Sequence, residues 1–462
     1  MSAKPERPAV PMEETIAAIA TPPGPGGIAV LRVSGKTALQ VADVVFKGRG
    51  KPSAQRSHTL CHGFVMDGEQ VVDEVLLAVM RAPHSYTAED VVEISCHGGF
   101  ISARRVLDLL VRTGARIAQP GEFTRRAFLN GRIDLTQAEA VVDIIAAQAQ
   151  GAQMAGVAQL QGHLFQKMQQ VYNHLADAMA HVEAHLDFPD EDLAPSERKE
   201  IAERVRNATA FMEALLATAR EGRVLREGVR TVIVGKPNVG KSSLLNALLG
   251  EERAIVSPTP GTTRDTIEEI ANLGGVPLRI VDTAGIREHE SQVEEEGIRR
   301  THSQLEQAEL VLLVLDTSCR LDAADRELIV LCKKRPLIVV LNKTDLGAFA
   351  DAASVRDLTT VSVSLKNGSG VEDLKKTISE HVLQGRVNTG FHEVFINARH
   401  QEALLRSCAA LGHATTAFQQ RRSLECVAAD LREAMQALGE VTGRTVTEDV
   451  LDRIFSKFCI GK

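Results

Sequence analysis

Three short segments carry residue types suited to holding a nucleoside triphosphate. The first, Gly235-Lys-Pro-Asn238-Val239-Gly240-Lys241-Ser242, follows the apolar run Val232 to Val234 and precedes a helical run, Ser243 to Leu249. A strand, a glycine-rich turn and a helix in that order let backbone N–H groups curl around phosphates. Lys241 would reach the β- and γ-phosphates, and the Ser242 hydroxyl would ligate Mg²⁺. The second, Asp282-Thr283-Ala284-Gly285, ends a later apolar run. Asp282 would hold Mg²⁺ through water, and Gly285 would offer its N–H to the γ-phosphate. The third, Asn342-Lys343-Thr344-Asp345, ends another such run. A carboxylate there can accept both N–H donors of a guanine edge, whereas adenine presents the wrong pattern. Ser364-Leu365-Lys366 is a weaker last element of the same kind. Gly261-Thr262-Thr263-Arg-Asp265 lies where a switch loop should carry a Mg²⁺-binding threonine. Order and spacing together predict a Mg²⁺-dependent GTP-hydrolysing domain.

One position is informative by being apolar. In Ras-type domains a Gln after the Asp-x-x-Gly box orients the attacking water. Here that position is Ile286, so another group must do so. The acidic stretch that follows offers Glu288, Glu290, Glu294, Glu295 and Glu296. By residue type alone, most of these read as a solvated helix face.

The elements that must position these residues fall into three textures. From Thr15 to about Pro120, short β-like runs are broken by Gly and Pro: Ile28 to Val33 and Val91 to Ile94 read as strands, Asp67-Gly68 as a hairpin turn, and Ile101 to Val111 as a helix. From about Asp134 the chain turns helical. Thr136-Gln-Ala-Glu139 reads as a capping box, and Gly151, Gly156 and Gly162 as expected breaks before about Leu186. Phe188 to Asp192 reads as an acidic turn, and Ile201, Val205, Ala208, Phe211 and Leu215 recur at helical spacing. After Gly228, the continuous apolar runs Val229 to Val234, Leu278 to Asp282, Leu310 to Asp316 and Leu337 to Asn342 predict a mostly parallel sheet covered on both faces. Helical texture returns after about Gly385, apart from an extended run near Glu393 to Ile396. The expected fold is multidomain α+β, with a Ras-like α/β P-loop domain inserted into a discontinuous helical domain. The expected boundaries are 12–130, 131–224, 225–385 and 386–462.

Composition sets limits on this reading. The 462 residues are 44% hydrophobic and 24% charged, an ordinary globular mix long enough for two or three domains. Trp is absent and only 2 residues are Tyr, which argues against a broad stacking platform for single-stranded nucleic acid. At a net charge of −7, any RNA binding requires a local basic patch or a partner. The 7 cysteines show no disulfide spacing and suit a reducing, cytoplasmic setting. Cys61-His62 and Cys96-His97 lack a second ligand pair for zinc. Met1 to Pro11 reads as neither signal peptide nor membrane span, so no membrane is expected.

Across nearly its whole length the chain resembles the bacterial MnmE (TrmE) family of tRNA modification GTPases, a branch of the potassium-activated TrmE-Era-EngA-like GTPases. The resemblance is carried by Ile19 to Gly24, Gly26 to Ile28, Leu31 to Gly35, Tyr86 to Val91, Cys96 to Gly99, Pro120 to Thr124, Arg126 to Asn130, Asp134 to Glu139, the GTPase boxes and the terminal Cys459-Ile-Gly-Lys462. It implies a homodimer formed through an N-terminal folate-binding domain. It also implies an FAD- and NADH-using partner similar to MnmG, in a heterotetramer. The two proteins would add an aminomethyl or carboxymethylaminomethyl group at C5 of the wobble uridine of certain tRNAs. The carbon would come from a tetrahydrofolate derivative, 5,10-methylene- or 5-formyl-tetrahydrofolate.

The resemblance implies folate contacts at Arg32, Glu93, Arg132 and Lys462. A pterin offers N–H donors to a carboxylate, and a folate tail offers carboxylates to Arg or Lys. By residue type alone, Arg32 and Arg132 would be surface charges and Cys459 a buried core cysteine. The resemblance implies that Cys459 lies near the folate, with a part in the chemistry. GTP contacts are implied at Asn238 through Ser243, at Ser257, Pro258, Thr259, Pro260, Gly261, Thr262 and Thr263, at Asp282 through Gly285, at Asn342 through Asp345, and at Ser364. Asn238, Ser257, Thr259 and Thr262 would ligate K⁺, Thr263 would join Ser242 on Mg²⁺, and Glu294 would be the water-orienting acid. Pro25 stands where many members carry Arg, and Leu365 where Ala is usual. The alternative reading is a ribosome-assembly GTPase that binds RNA. It should carry an appended basic domain, and no such domain is visible in the sequence.

Overall fold

The computed structural model describes residues 14–187, 195–250, 269–273, 275–281, 304–347, 355–382, 394–420 and 422–462. It divides into two compact units, 1–142 with 436–462, and 143–435.

The first unit is built on a seven-stranded sheet: β1 (Ile16–Ile19), β2 (Ile28–Ser34), β3 (Phe46–Gly48), β4 (Thr59–Asp67), β5 (Gln70–Met80), β6 (Val91–His97) and β7 (Arg116–Ile117), in the order β3-β4-β5-β6-β2-β1-β7. All its pairings are antiparallel except β1 with β7. The period-2 alternation sends Ala29, Leu31 and Val33 into the core with Val75, Leu77, Val92 and Ile94. There they meet helices α1 (Ala38–Val45) and α2 (Phe100–Arg112). The same alternation puts Arg32 and Glu93 on the opposite face, as direct cross-strand partners. The hairpin expected at Asp67-Gly68 joins β4 to β5. Asp67 pairs with Gln70, so its two loop residues are Gly68 and Glu69.

Helix α3 (Glu122–Leu129) follows β7, and α4 (Leu135–Ala146) follows α3. The cap of α4 is not the expected one. Asp134 Oδ1 accepts the N–H groups of Thr136 and Gln137 and the Thr136 hydroxyl, while Gln137 Oε1 accepts the Asp134 N–H. The cap is therefore Asp134, two residues upstream, which places Thr136 inside the first turn of the helix, where it is buried.

In the second unit, α5 (Gln150–Leu160), α6 (His163–Asp187), α7 (Pro195–Ala217) and α8 (Ala219–Glu227) form the first helical stretch. Gly151 and Gly156 do not break it. Both lie inside α5, where a Cβ on Gly156 would stand 2.7 Å from Cγ1 of Ile144. Gly162 does separate α5 from α6. Along α7 the core positions are Ile201, Val205, Ala208, Met212 and Leu215, with Met212 taking the place expected for Phe211, which is only partly buried.

The second sheet comprises β8 (Val229–Val234), β9 (Glu269–Leu273), β10 (Val276–Ile280), β11 (Leu310–Asp316), β12 (Leu337–Asn342) and β13 (Thr359–Ser362), in the order β13-β12-β11-β8-β10-β9. Only β9–β10 is antiparallel. Helix α9 (Lys241–Leu249) follows β8, α10 (Ala323–Cys332) follows β11, and α11 (Val371–Val382) follows β13. One face packs on Leu244, Leu248, Leu374 and Ile378, the other on Ile329 and Cys332. Burial on both faces explains why β11 reads as an unbroken apolar run. The extended run expected near Glu393 has no strand among its described residues: Val394, Phe395 and Ile396 are buried irregular chain.

Three helices complete the chain: α12 (Ala398–Gln419), α13 (Leu424–Thr442) and α14 (Glu448–Phe455). Leu451, Phe455 and Phe458 pack with Ala127, Ile133, Leu135 and Ala138 in the first unit. Among the described residues, no helix is long and apolar enough to cross a membrane.

Candidate functional site

The turn between β8 and α9 carries the phosphate-binding pattern. Its backbone enters the left-handed region at Asn238, with φ 61°, and at Gly240, with φ 107°. A Cβ on Gly240 would run into Nδ2 of Asn342, so only glycine fits there. Asn342 is buried, and both ends of its amide are engaged. Nδ2 donates to the Val239 carbonyl at 2.8 Å, and Oδ1 accepts from the Leu365 N–H at 3.1 Å. Asn342 thus braces the P-loop against the last box. Leu365 takes part through its backbone, while its side chain packs on the sheet core.

Asp345 sits on the exposed end of the Asn342 box. One of its oxygens accepts the Ser364 hydroxyl at 2.6 Å. That bond, aided by the charges of Lys366 and Lys343, holds its carboxyl below the usual range. An ionised carboxylate is acceptor-only, the state needed to take two N–H donors from a base. Lys343, at φ 67°, donates to Asp316 Oδ2 at 2.6 Å. Lys241 Nζ donates to the Lys236 carbonyl at 2.8 Å.

Sequence reasoning missed what holds Lys236. Its ammonium donates to Asp322 and Asp325 at 2.8 Å each. These bonds push the ammonium above the usual lysine range and bring the Asp322 carboxyl down to about 2. Both aspartates also form the capping box of α10. The available signal was the spacing Asp322-x-x-Asp325 ahead of an apolar run. Ser257, Pro258, Thr259, Pro260, Gly261, Thr262, Thr263, Asp282, Thr283, Ala284, Gly285, Ile286 and Glu294, together with the turn at Phe188 to Asp192, lie outside the described residues. Among the described residues, no three His, Cys, Asp or Glu side chains cluster as a metal site. The Mg²⁺ expected here would instead draw on hydroxyls and phosphate oxygens.

A second constellation lies in the first unit. Arg32 Nε donates to Glu93 Oε1 at 2.8 Å, and Arg32 Nη1 reaches the Gly461 carbonyl at 3.4 Å. The Arg32 side chain is only 11% exposed, so the surface reading fails for it. Its guanidinium lies over the rings of Tyr86, at 4.6 Å, and Phe123, at 5.6 Å, while Glu93 compensates its charge. Arg132 is exposed, as its type suggests. Its guanidinium also lies over Tyr86, at 5.1 Å, and its Nη1 donates to the Tyr86 carbonyl at 3.0 Å.

The chain end completes the group. Gly461 has φ 99°, and a Cβ there would stand 2.5 Å from the Ile19 carbonyl oxygen. Only glycine lets this segment lie so close to β1. Lys462 is half-buried; burial, then the nearby Arg32 charge, lowers its ammonium from the usual range against the opposing pull of Glu93. Cys459 is exposed rather than buried, because Phe455 and Phe458 fill the core beneath it. The side chains of Arg32, Arg132 and Lys462 outnumber that of Glu93, so the side-chain charge of this group is positive. That donor set fits a ligand with a ring edge of N–H groups for Glu93 and carboxylates for the cations.

Buried ionic bonds fix the frame behind it. Arg126, 2% exposed, donates to Glu122 at 2.9 Å and to both oxygens of Glu89 at 3.2 Å. Glu122 also accepts from Arg116 and from the Gln119 N–H. In the sequence, Tyr86 and Phe123 stand only inside longer segments shared with the family. Their place around Arg32 depends on contacts that no local pattern encodes.

Comparison with known proteins covers nearly the whole chain. Residues 135–459 match the family model described as the MnmE helical domain, and residues 15–132 match that of the GTP-binding protein TrmE N-terminus. The "tRNA modification GTPase MnmE" of Natranaerobius thermophilus is 45% identical over 97% of this chain and 100% of its own length. That of Symbiobacterium thermophilum is 48% identical over 97% of this chain and 100% of its own. Among solved structures, the G domain of the T. maritima FeoB iron transporter is 26% identical, covering 33% of this chain and 98% of that domain, with a TM-score of 0.26.

Proposed function

Because the chain belongs to the MnmE family of tRNA modification GTPases, we propose that it is a potassium-activated GTPase acting on the wobble uridine of certain tRNAs. With an FAD-carrying, NADH-using partner similar to MnmG, it adds an aminomethyl or carboxymethylaminomethyl group at C5. It works as a homodimer within a heterotetramer.

The observation that carries this reading is the grouping of residues from four distant parts of the chain: Arg32 and Arg132 share the Tyr86 ring, Glu93 pairs with Arg32, and Lys462 lies within the field of both Arg32 and Glu93. Their chemistry suits a reduced folate. Glu93 would accept from the pterin edge, and Arg132 and Lys462 would hold tail carboxylates. The folate, as its 5,10-methylene or 5-formyl form, would supply the one-carbon unit. The exposed Cys459 thiol lies three residues from Lys462 in the chain, and it is the candidate for a direct chemical part.

In the G domain, Lys241 would neutralise phosphate charge, and Ser242 and Thr263 would hold Mg²⁺. Asn238, Ser257, Thr259 and Thr262 would hold K⁺ where other GTPases use an arginine finger, and Glu294 would orient the water that Ile286 cannot. Hydrolysis then serves as a mechanical step, closing two G domains against each other. The ribosome-assembly alternative has no comparable support. The test is GTP turnover in K⁺ against Na⁺, with Glu294→Ala alongside. Turnover should rise sharply in K⁺, and the variant should bind GTP without hydrolysing it. Equal rates in the two salts would remove the potassium assignment, and wild-type turnover by the variant would remove Glu294.

A further inference from the structure

We propose that Tyr86 is a positioning residue of the folate pocket, holding Arg32 and Arg132 in their binding orientation; this rests on the folate reading above. Tyr86 touches both arginines at once. The guanidinium carbons of Arg32 and Arg132 stand 4.6 Å and 5.1 Å from its ring centroid, and Arg132 also donates to its carbonyl. The ring is itself held, because the Tyr86 hydroxyl is 2.8 Å from Oγ1 of Thr124. Thr124 is fully buried on α3, in the turn between Glu122 and Arg126, whose ion pair is 2% exposed at both ends. A rigid buried network therefore fixes a half-buried ring, and that ring fixes two cations.

The consequence for binding follows from entropy. A free arginine samples many rotamers and loses them when it grips a ligand, whereas an arginine already stacked has little left to lose. Each ring contact also favours one plane of the guanidinium, which matters for paired hydrogen bonds to a carboxylate or a pterin. Tyr86 thus sets affinity through the arginines, without itself needing to bond the ligand.

The experiment is a double-mutant cycle read by calorimetric binding of 5-formyl-tetrahydrofolate to the full-length chain. The proteins are wild type, Tyr86→Leu, Tyr86→Phe, Arg32→Met and Tyr86→Leu with Arg32→Met. Tyr86→Leu should weaken binding by about tenfold to a hundredfold. Tyr86→Phe, which keeps the ring but loses its bond to Thr124, should fall between wild type and Tyr86→Leu. In the Arg32→Met background, Tyr86→Leu should cost markedly less than it does alone, because the two act as one unit. A purely structural role for Tyr86 gives additive losses and overturns the proposal, as does a Tyr86→Leu chain that binds like wild type. Equal losses in the Phe and Leu variants would assign the effect to the hydroxyl and overturn the ring argument. A wild-type chain that does not bind the folate fails the reading beneath the proposal, an outcome distinct from all of these.

Discussion

Replacing Glu122 by Gln removes one charge from the middle of a buried network while leaving its shape. Glu122 is 2% exposed and accepts four hydrogen bonds, two from Arg116, one from the Gln119 N–H and one from Arg126. A glutamine turns one acceptor oxygen into an NH₂ facing guanidinium donors, and it leaves Glu89 as the one carboxylate bonded to Arg126. Breaking a buried pair from one side costs about 3–5 kcal/mol, since the remaining charge stays in the interior. For a unit of this size, that is a fall of about 6–20 °C in the unfolding midpoint.

The pH dependence follows from the sign of the shift. Burial alone would raise the Glu122 carboxyl, but bonds from Arg116, Gln119 and Arg126 more than offset it, so its folded value is lowered. Its stabilisation is therefore present above the ordinary glutamate range and is lost as pH falls through the depressed folded value. The assay is differential scanning calorimetry of wild type and Glu122→Gln from neutral to acid pH. The gap should stay constant from about pH 8 to 6 and close only in stronger acid. A variant within about a degree of wild type, or a gap already closing near neutrality, would refute the reasoning.

Three further variants probe the two sites. Asn342→Ala should lower GTP affinity at least about tenfold, because it leaves the Val239 carbonyl and the Leu365 N–H without their partner; titration with a fluorescent guanine nucleotide checks this. Asp345→Asn should turn the base preference from guanine toward xanthine, since one acceptor becomes a donor; competition between GTP and xanthosine triphosphate measures the change. Gly461→Ala should weaken 5-formyl-tetrahydrofolate binding by about tenfold or more, because a side chain at φ 99° would press on the Ile19 carbonyl and move Lys462; calorimetry would show it.

How much of this was legible in the sequence depended on how local the cause was. The strands of the second sheet read correctly because burial on both faces leaves continuous apolar runs, as in β11. The tight turn between β8 and α9 read correctly because its glycines answer a constraint within a few residues. Local competition misled the reading at α4, where Asp134 displaced Thr136 as the cap, and at α5, where glycine serves close packing on Ile144 instead of ending a helix. The grouping around Arg32 was suggested only by the family resemblance, since the bond from Arg32 to Gly461 spans 429 positions. Residue type suggested that Arg32 would be exposed; the rings of Tyr86 and Phe123 and the Glu93 carboxylate made its burial tolerable.

The central claim concerns a tRNA base, and mass spectrometry of wobble uridines reads it most directly. In a strain lacking this chain, the aminomethyl and carboxymethylaminomethyl groups at C5 should vanish from the affected tRNAs. They should return with the wild-type gene but not with Glu294→Ala. Wobble uridines that carry the same groups with and without the chain would contradict the account.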